Sequence, residues 1–314
     1  MNILLSCNSQ YVFPTNVLIK SILFNNTDDD INFWIMHDIQ DDLIDKISSV
    51  CTDPRCKIHD IAIDTSVFGE MVIPKKYNQH VSIETYFRLL ILDYLPNNLE
   101  RVLYMDTDTI CNKNLSFIYS VDLKNNLLAA CEDYGFVLRP HIKKQVYHNL
   151  NFQDDDLYFN AGVILFNLSE IRKTYTTKEI LNFIKQNSDR ILFHDQDVIN
   201  KIFHGRILSL PITMNCRPFF FLYTYKMEKK IISKAYIIHY GPKPWNIKYT
   251  GTCLDLFWHY AFLAGYEKEY NSFKNERKRY ISFRWPSLIK ICLKQNLRIL
   301  YARIRHWDKR VNLS

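Results

Sequence analysis

Short apolar runs alternate with amphipathic segments along most of the chain. The first three strand-like runs cover residues 2–6, 31–37 and 57–63. A helical pattern opens at Pro14, and a second one covers residues 41–50. Strands and helices that alternate in this way are typical of a parallel sheet covered by helices. The sequence therefore predicts an α/β fold.

The alternation continues through the middle of the chain. Ser82 is expected to cap a helix that ends near Pro96, and a buried strand follows at residues 101–105. Asp195 is expected to cap a later helix, with Gly205 as its C-terminal stop. Three further strands are predicted at residues 127–131, 158–167 and 235–240.

The end of the chain differs in character. No repeat or low-complexity linker interrupts residues 1–265, which we interpret as one domain, with residues 266–314 as a separate tail. After residues 285–286, Ser287 is expected to cap a helix with apolar residues at every third or fourth position: Ile289, Leu293, Leu297, Leu300, Ile304 and Trp307. Its basic flank consists of Lys290, Lys294, Arg298 and Arg305. Such a helix can rest on an anionic membrane surface, which we favour, or pack on the domain with its basic side in water.

The charge distribution supports this division. The whole chain carries a net charge of +7, but the residues from Lys274 onward contain 12 Lys or Arg and only two acids. The rest of the chain is therefore slightly acidic, which is not typical of a nucleic-acid-binding protein. The sequence begins without a basic, apolar leader and contains no long apolar stretch, so we expect a cytoplasmic protein, peripheral at the inner face of the cytoplasmic membrane. Eight cysteines without a zinc-type spacing are predicted to be reduced.

Two aspartates end the strand at residues 101–105. Asp106 and Asp108 are two positions apart, so in extended chain both carboxylates point to the same side. Carboxylates held this close repel each other unless a cation lies between them, and oxygen ligands suit Mg²⁺ or Mn²⁺. Both could instead simply begin a turn. Haloacid-dehalogenase-like phosphatases also have D-x-D after an apolar strand, but usually after the first one, whereas here three strand-like runs come before it.

A histidine follows the last predicted strand, in the segment HYGPKPW at residues 239–245, which we call the histidine loop. A neutral imidazole from His239 can join two carboxylates around Mn²⁺. Gly241 lets the backbone approach a ligand, and Lys243 offers a positive charge to a phosphate. The alternative is that His239 is a hydrogen-bonded core residue. The chain lacks a Walker A or G-x-G-x-x-G sequence, so a metal and a lysine would carry the charge of bound phosphates.

Six segments in order resemble glycosyltransferase family 8, and especially the bacterial lipooligosaccharide and lipopolysaccharide α-galactosyltransferases. They are HVSIETYFRL at 80–89, RVLYMDTDTI at 101–110, ACEDYG at 130–135, YFNAGVILFNL at 158–168, HDQDVIN at 194–200 and the histidine loop. The resemblance implies a GT-A-type, Rossmann-like nucleotide-sugar-binding domain with a mixed, mainly parallel sheet. It also implies a retaining hexosyltransferase that uses a UDP-sugar, with galactose ahead of glucose, and a glycan acceptor that can be lipid-linked.

The same resemblance assigns roles to individual residues. Asp106, Asp108 and His239 would be Mn²⁺ ligands, with Mg²⁺ as the second choice, and Lys243 would contact the donor phosphates. Tyr11 would stack on the uracil beside Asn8, where the family often has Asp. The sugar would lie among Arg88, Asp133, Asn160 and Asp195, with Gln196 beneath the anomeric carbon. Ser6, Thr107, Ala161 and Gly241 complete the implied donor site. Taken alone, Tyr11 could be a packed ring, Arg88 a surface ion pair and Asp195 only a helix cap.

Retention of configuration needs either a nucleophile or entry of the acceptor on the leaving-group side. The residue best placed by resemblance, Gln196, is an amide and a poor nucleophile, so we favour front-face transfer. Gln196 and Asp195 would then stabilise positive charge on the sugar, with Asp133 nearby as a third catalytic residue. Two alternatives remain at this point: a metal-dependent phosphatase, and a nucleotide-sugar binder without catalytic activity.

Overall fold

The structure is a computed structural model, and it describes residues 1–39, 43–69, 82–221 and 224–305. At positions 137, 220, 283, 285–288 and 302–305 it describes the backbone only. Parts of several sequence predictions therefore lie outside the described residues. These parts are the start of the 41–50 helix, residues 80 and 81 of the first family segment, and Trp307 with the rest of the tail end.

Nine strands form two sheets within the described residues. The strands are β1 (Asn2–Ser6), β2 (Ile31–Asp38), β3 (Cys56–Ile63), β4 (Arg101–Met105), β5 (Thr109–Cys111), β6 (Leu128–Glu132), β7 (Phe159–Asn167), β8 (Ile207–Leu210) and β9 (Ile237–His239). The larger sheet has the order β3-β2-β1-β4-β7-β6-β8, in which β7 alone runs antiparallel to its neighbours. Strands β5 and β9 form a small antiparallel pair. The expectation of a mixed, mainly parallel sheet is confirmed.

Helices join these strands along the chain. They are α1 (Val12–Asn25), α2 (Ile44–Ser48), α3 (Ile91–Tyr94), α4 (Ser116–Tyr119), α5 (Gly135–Leu138), α6 (Pro140–Leu150), α7 (Leu168–Thr174), α8 (Thr177–Gln186), α9 (His194–Ile202), α10 (Tyr225–Lys234), α11 (Leu254–Leu263) and α12 (Glu267–Arg305). Short 3₁₀ turns at Ser9–Tyr11 and Ile83–Leu89 lie beside the site described below.

The large sheet lies between two apolar layers. Successive side chains of β1 alternate between them: Leu4 packs with the core that contains α8 and α9, while Ile3 and Leu5 pack with the core that contains α1. All three side chains are fully buried. Parallel strands covered on both faces leave the carboxyl ends of the strands as the open edge, where ligands bind in such folds.

Three predicted helix starts are wrong, and the first two are those at Ser82 and Ser287. Ser82 makes no side-chain cap bond, and the segment after it forms the 3₁₀ turn Ile83–Leu89 and then α3. Four successive side chains, at residues 86–89, are buried there, so the segment lies within the core rather than on its surface as an amphipathic helix would. In the tail, position 287 is not a helix start, because α12 already begins at Glu267 and its backbone is helical through this position.

Asp195 is not a helix cap. Helix α9 begins one residue before it, with Phe193 at the cap position. The carboxylate of Asp197 accepts the backbone N–H groups of Leu192 and Phe193 at 2.6 and 2.8 Å, so the donors that precede the helix are already satisfied. Helix α9 ends at Ile202, and Gly205 follows it with a φ of +75°, in the left-handed region that glycine favours.

One pair of cysteines is not reduced. Cys51 and Cys56 form a disulfide across the turn between α2 and β3, with Cα atoms 6.0 Å apart, which is within the usual span of this bond. The prediction of reduced thiols is therefore wrong for this pair. The other cysteines are free, and five of them are buried: Cys7, Cys111, Cys131, Cys216 and Cys253.

Helix α12 packs on the rest of the chain at several points. Its Phe273 ring lies 4.4 Å from the ring of Trp258 on α11, and Arg277 donates a hydrogen bond to the carbonyl of Ile247. Near its far end Ile299 is only 1% exposed, and the helix contacts α5. None of the helices that the structure describes is long and apolar enough to cross a membrane.

Candidate active site

A cavity of about 640 Å³ opens beyond the carboxyl ends of β1, β4 and β6. Strand β7 runs the other way, so its first residues, Asn160 to Gly162, reach the same edge. Every residue that was assigned to donor binding or catalysis lines this cavity: Ser6, Asn8, Tyr11, Arg88, Asp106, Thr107, Asp108, Asp133, Asn160, Ala161, Asp195, Gln196, Gly241 and Lys243. The fold therefore brings together residues from seven separate parts of the sequence.

Asp106, Asp108 and His239 meet at one edge of the cavity. The pairing of Thr109 with His239 between β5 and β9 places the imidazole beside the aspartates. His239 Nε2 lies 3.4 Å from Asp108 Oδ1 and 3.8 Å from Asp106 Oδ2, and one ligand atom from each residue lies within 4.8 Å of the others. Two carboxylate oxygens and one imidazole nitrogen form a donor set that suits Mn²⁺.

Asn215 fixes the orientation of His239 by contacting the ring nitrogen that does not face the aspartates. His239 Nδ1 lies 3.0 Å from the side-chain oxygen of Asn215, whose amide nitrogen donates to Asn160. Since that oxygen is an acceptor, the hydrogen-bond network assigns the ring proton to Nδ1 and leaves the Nε2 lone pair facing the carboxylates. Three electron-rich groups then face one point, an arrangement that a bound cation stabilises.

Gly162 leaves room for this cluster. A Cβ atom at this position would lie 2.7 Å from both Asp106 Oδ2 and His239 Nδ1. Any other residue would therefore push the imidazole or the carboxylate out of place. The space that the three ligands converge on exists because β7 carries a glycine there.

Lys243, in the histidine loop, contacts one member of the cluster formed by Asp106, Asp108 and His239, which we call the metal cluster. Its Nζ lies 2.7 Å from Asp108 Oδ2. Burial opposes ionisation of Asp108, but the nearby charge of Lys243 is the largest opposing effect, and the pKa of this carboxyl lies well below its usual range. The short loop thus brings both its histidine and its lysine to the same aspartate.

Arg88 is a buried residue rather than part of a surface ion pair. Its Nη2 donates to Asp106 Oδ1 at 2.9 Å, and the hydroxyl of Tyr104 donates to the same oxygen at 2.8 Å. Burial opposes the charged guanidinium, but Asp106 and Asp195 outweigh it and raise the pKa of Arg88 above its usual value. Arg88 therefore fixes one oxygen of Asp106 and leaves Oδ2 for the metal cluster.

Gln196 is held by hydrogen bonds on both sides of its amide. Its oxygen accepts from Asn160 at 2.9 Å and from the backbone N–H of Ala161 at 3.1 Å, while its nitrogen donates to Asp133. Asp133 also accepts from Arg217 at 2.9 Å. Burial opposes ionisation of Asp133, but Arg217 and the other donors lower its pKa, so it remains a carboxylate.

Asp195 has the opposite character. Burial raises the pKa of Asp195 to about 7, against the opposing charge of Arg88, whose Nε lies 3.2 Å from Oδ2. The carboxylates of Asp106 and Asp197 also favour the protonated form. Two acids of one cavity, Asp133 and Asp195, therefore differ in protonation because Arg217 faces the first while Arg88 is shared between the second and Asp106.

Tyr11 and Asn8 lie at another end of the cavity. The Tyr11 ring meets Trp245 edge-on with centroids 6.0 Å apart, and Lys243 Nζ lies 5.3 Å from its centroid. The side-chain oxygen of Asn8 accepts the N–H of Gln10 and so caps the short turn that carries Tyr11. Asn8 thereby positions Tyr11.

Several lining or supporting residues escaped the sequence analysis. Asn215 orients His239, Arg217 pairs with Asp133, and Arg139 also lines the cavity. Asn215 and Arg217 follow the apolar run of β8, so the rule that polar residues after a strand can face a site could have found them. Arg139 carries no such signal, since it lies in the short link between α5 and α6.

Comparison with known proteins agrees with this geometry. The model of Glycosyl transferase family 8 matches residues 2–248. The chain belongs to glycosyl transferase family 8. A Haemophilus influenzae protein whose name assigns it provisionally to the glycosyltransferases is 30% identical over 220 residues. That match covers 69% of this chain and 64% of the Haemophilus protein, so the chain spans less than two thirds of that relative.

Two further relatives of this family 8 chain have more specific names. Lipopolysaccharide 1,2-glucosyltransferase of Escherichia coli K12 is 26% identical over 262 residues, which cover 78% of this chain and 73% of that one. The crystal structure of the galactosyltransferase LgtC with donor and acceptor sugar analogues superposes with a TM-score of 0.70. It covers 83% of this chain and 95% of LgtC at 23% identity, so it supports the GT-A fold.

Gly162→Ala tests the metal cluster. Because the added methyl group would fill the space between Asp106 and His239, we expect Mn²⁺ affinity to fall by about tenfold or more. The measurement is a titration with Mn²⁺ followed by electron paramagnetic resonance. Circular dichroism shows whether the variant is folded, and a folded variant with unchanged Mn²⁺ affinity contradicts the assignment.

Asp195→Asn tests the raised pKa in the metal-free protein. Unfolded Asp195 releases its proton near pH 4 and the folded group near pH 7, so the folded state binds more protons between these values and stability falls as the pH rises. Between about pH 5 and pH 8, we expect the free energy of unfolding of the wild type to fall by about 2 kcal/mol more than that of the variant. Denaturant titrations at both pH values measure it, and equal losses in the two proteins contradict it.

Proposed function

We propose that this family 8 chain transfers a hexose from a UDP-sugar to a glycan, with retention of configuration. Galactose is the first candidate for the hexose and glucose the second, and the acceptor is bacterial lipopolysaccharide, lipooligosaccharide or a similar surface glycan. The observation that carries the proposal is that His239 and Lys243 both lie beside Asp106 and Asp108, at the edge of the cavity that these aspartates line. The names of the relatives support the choice of sugar and acceptor.

The donor would lie along the cavity from Tyr11 to Gln196. Tyr11 offers a partly exposed ring to the uracil, next to Asn8, Ser6 and Thr107. The diphosphate would bind at the metal cluster, where Gly241 permits close approach of the backbone. Lys243 would release Asp108 and neutralise phosphate oxygens.

The sugar would bind where four polar groups converge. Arg88, Asp133, Asn160 and Asp195 line this part of the cavity and offer both donors and acceptors to its hydroxyls. Because its pKa is raised, Asp195 in its protonated form can donate a hydrogen bond to a sugar hydroxyl. The N–H of Ala161 is already bound to Gln196 and therefore fixes that amide rather than the sugar.

The hydrogen bonds of Gln196 favour front-face transfer. Its oxygen already accepts two hydrogen bonds, so its lone pairs are poorly available for attack on the anomeric carbon. Gln196 would instead present a dipole to positive charge that develops on the sugar, with the acceptor hydroxyl entering beside the leaving phosphate. When bound, Mn²⁺ or Mg²⁺ would act as a Lewis acid that stabilises charge on the leaving UDP.

A phosphatase of the haloacid-dehalogenase type is not favoured. Such an enzyme needs a free carboxylate nucleophile at the first aspartate of D-x-D, but Asp106 Oδ1 accepts hydrogen bonds from Arg88 and Tyr104. Asp106 also follows the fourth strand of the chain rather than the first.

Release of UDP from UDP-sugars tests the function. With Mn²⁺ and no acceptor, we expect slow release of UDP from UDP-galactose or UDP-glucose and none after chelation by EDTA, because metal and lysine must stabilise the leaving group. Gln196→Ala is expected to lower turnover by about a hundredfold and leave UDP affinity nearly intact. Coupled assay of UDP and calorimetric titration measure the two quantities.

Three outcomes would contradict parts of this proposal. Activity that survives EDTA removes the metal from the reaction, and a normal rate for Gln196→Ala removes that residue from the mechanism. UDP binding without turnover of any UDP-sugar would leave a nucleotide-sugar binder without catalytic activity. Lys144→Gln, an exposed change away from the cavity, serves as the matched control for the Gln196 variant.

We also propose that residues 1–265 form the catalytic domain and that residues 266–314 attach it to the inner face of the cytoplasmic membrane. Helix α12 packs on the domain through Ile299 but leaves an apolar stripe exposed: Ile289, Leu293, Leu297 and Leu300, from 42% to 66% exposed. Lys290, Lys294 and Arg298 lie beside it. An exposed apolar stripe with a basic flank fits an anionic lipid surface, which would also hold a lipid-linked acceptor.

Vesicle sedimentation tests the attachment. We expect the full chain to sediment with phosphatidylglycerol vesicles but not with phosphatidylcholine vesicles, because the basic flank needs anionic lipid. Replacing both Leu293 and Leu297 by Ser should abolish most of the binding, whereas Phe262→Ser, which removes another half-exposed apolar side chain, should not. Equal binding of the double variant and the wild type contradicts the proposal.

A further inference from the structure

Two arginines that the proposed donor site does not use line the same cavity. We call Arg139 and Arg217 the arginine end. Arg217 Nη1 lies 2.9 Å from Asp133 Oδ1, while the other oxygen of Asp133 accepts from Gln196 at 3.1 Å. One carboxylate thus stands between Gln196, which would lie beneath the sugar, and Arg217. Only the side chain of Asp133 therefore separates Arg217 from Gln196, beside the proposed sugar position.

Arg139 has no acid of its own. Among the residues that the structure describes, its guanidinium makes no hydrogen bond and no ion pair within 4.0 Å. Burial lowers the pKa of Arg139, and the positive charges of Arg217 and Arg298 lower it further against the opposing effect of Asp133. Asp133 is already paired with Arg217, so the surroundings of Arg139 carry excess positive charge.

The tail contributes to that excess. Arg298 comes from α12, which contacts α5, and α5 ends at Leu138, directly before Arg139. The next residue of the tail, Ile299, is buried at this contact end of the helix. Arg298 is exposed and does not line the cavity, but its positive charge acts on Arg139 from the tail helix.

The donor diphosphate does not account for the arginine end. Three side chains, Asp133, Asn160 and Asn215, lie between Arg217 and the metal ligand His239 in a continuous hydrogen-bond network. The metal cluster and the lysine of the histidine loop already supply positive charge where the diphosphate would bind. An anion at the arginine end would therefore belong to the second substrate.

We propose that the acceptor glycan carries an acidic group, a carboxylate or a phosphate, and that Arg139 binds this group close to the reacting hydroxyl. The inference rests on the proposed transferase function and names the class of its acceptor: an acidic sugar rather than a neutral one. A guanidinium can bind either anion through two parallel N–H donors. Arg217 would hold Asp133 in place and add to the positive potential without leaving its partner.

Three sugar probes test this inference on the full chain saturated with Mn²⁺ and UDP. They are methyl glucuronide, methyl glucoside 6-phosphate and neutral methyl glucoside, and their dissociation constants are measured by nuclear magnetic resonance titration. We expect at least one anionic probe to bind about fivefold more tightly than the neutral one, since Arg139 is partly exposed and solvent screens its charge. The anionic probe with the smaller dissociation constant shows whether a carboxylate or a phosphate is preferred.

Variants separate Arg139 from general positive charge. Arg139→Gln should bring the anionic and neutral probes to parity, Arg139→Lys should keep part of the preference, and Lys144→Gln on α6 should keep all of it. The inference is overturned if the wild type binds the anionic and neutral probes equally tightly, or if its preference for an anionic probe survives Arg139→Gln. Failure of UDP release by the wild type would instead overturn the transferase function, so the two failures are distinguishable. If Arg139→Gln does not fold, the partial loss of the preference in Arg139→Lys provides the test.

Discussion

Repulsion between like charges is the constraint on which this site depends. Asp106, Asp108 and the lone pair of His239 face a common point, and such an arrangement is costly unless a cation occupies it. The surrounding structure enforces the approach: β5 pairs with β9, Arg88 fixes one side of Asp106, and Gly162 leaves the space open. The fold therefore holds these three groups at a spacing that favours binding of a cation.

A single hydrogen-bond network links that metal cluster to the opposite end of the cavity. It runs from His239 through Asn215 and Asn160 to Asp133, with Gln196 held between its members. Because every member is anchored to another, the polar side chains have little freedom to rearrange when the substrate arrives. Such preorganisation is what an enzyme needs to stabilise charge that develops only in the transition state.

Much of the fold and of the site could be predicted from the sequence because both follow local patterns. Four inner strands of the large sheet, β1, β4, β6 and β7, are mainly apolar and buried, and residues at the cavity ends of these strands are the chemistry-bearing ones. The errors came from tertiary contacts that a local pattern cannot contain. Asp195 has the right residue type for a cap, but Asp197 satisfies the N–H groups before the helix. Arg139 could not be predicted, since its position depends on how α5, α6 and the tail helix meet.

The ion pair of Lys243 with Asp108 has a consequence for the order of binding. In the free protein the ammonium group already neutralises one of the carboxylates that a divalent ion would use, so an ion that arrives alone must compete with an internal counterion. A diphosphate offers the lysine another partner and removes that competition. Each ligand therefore lowers the free-energy cost of binding the other, and this thermodynamic coupling works equally in both directions. A metal ion without the proposed nucleotide-sugar donor would leave Lys243 paired with Asp108.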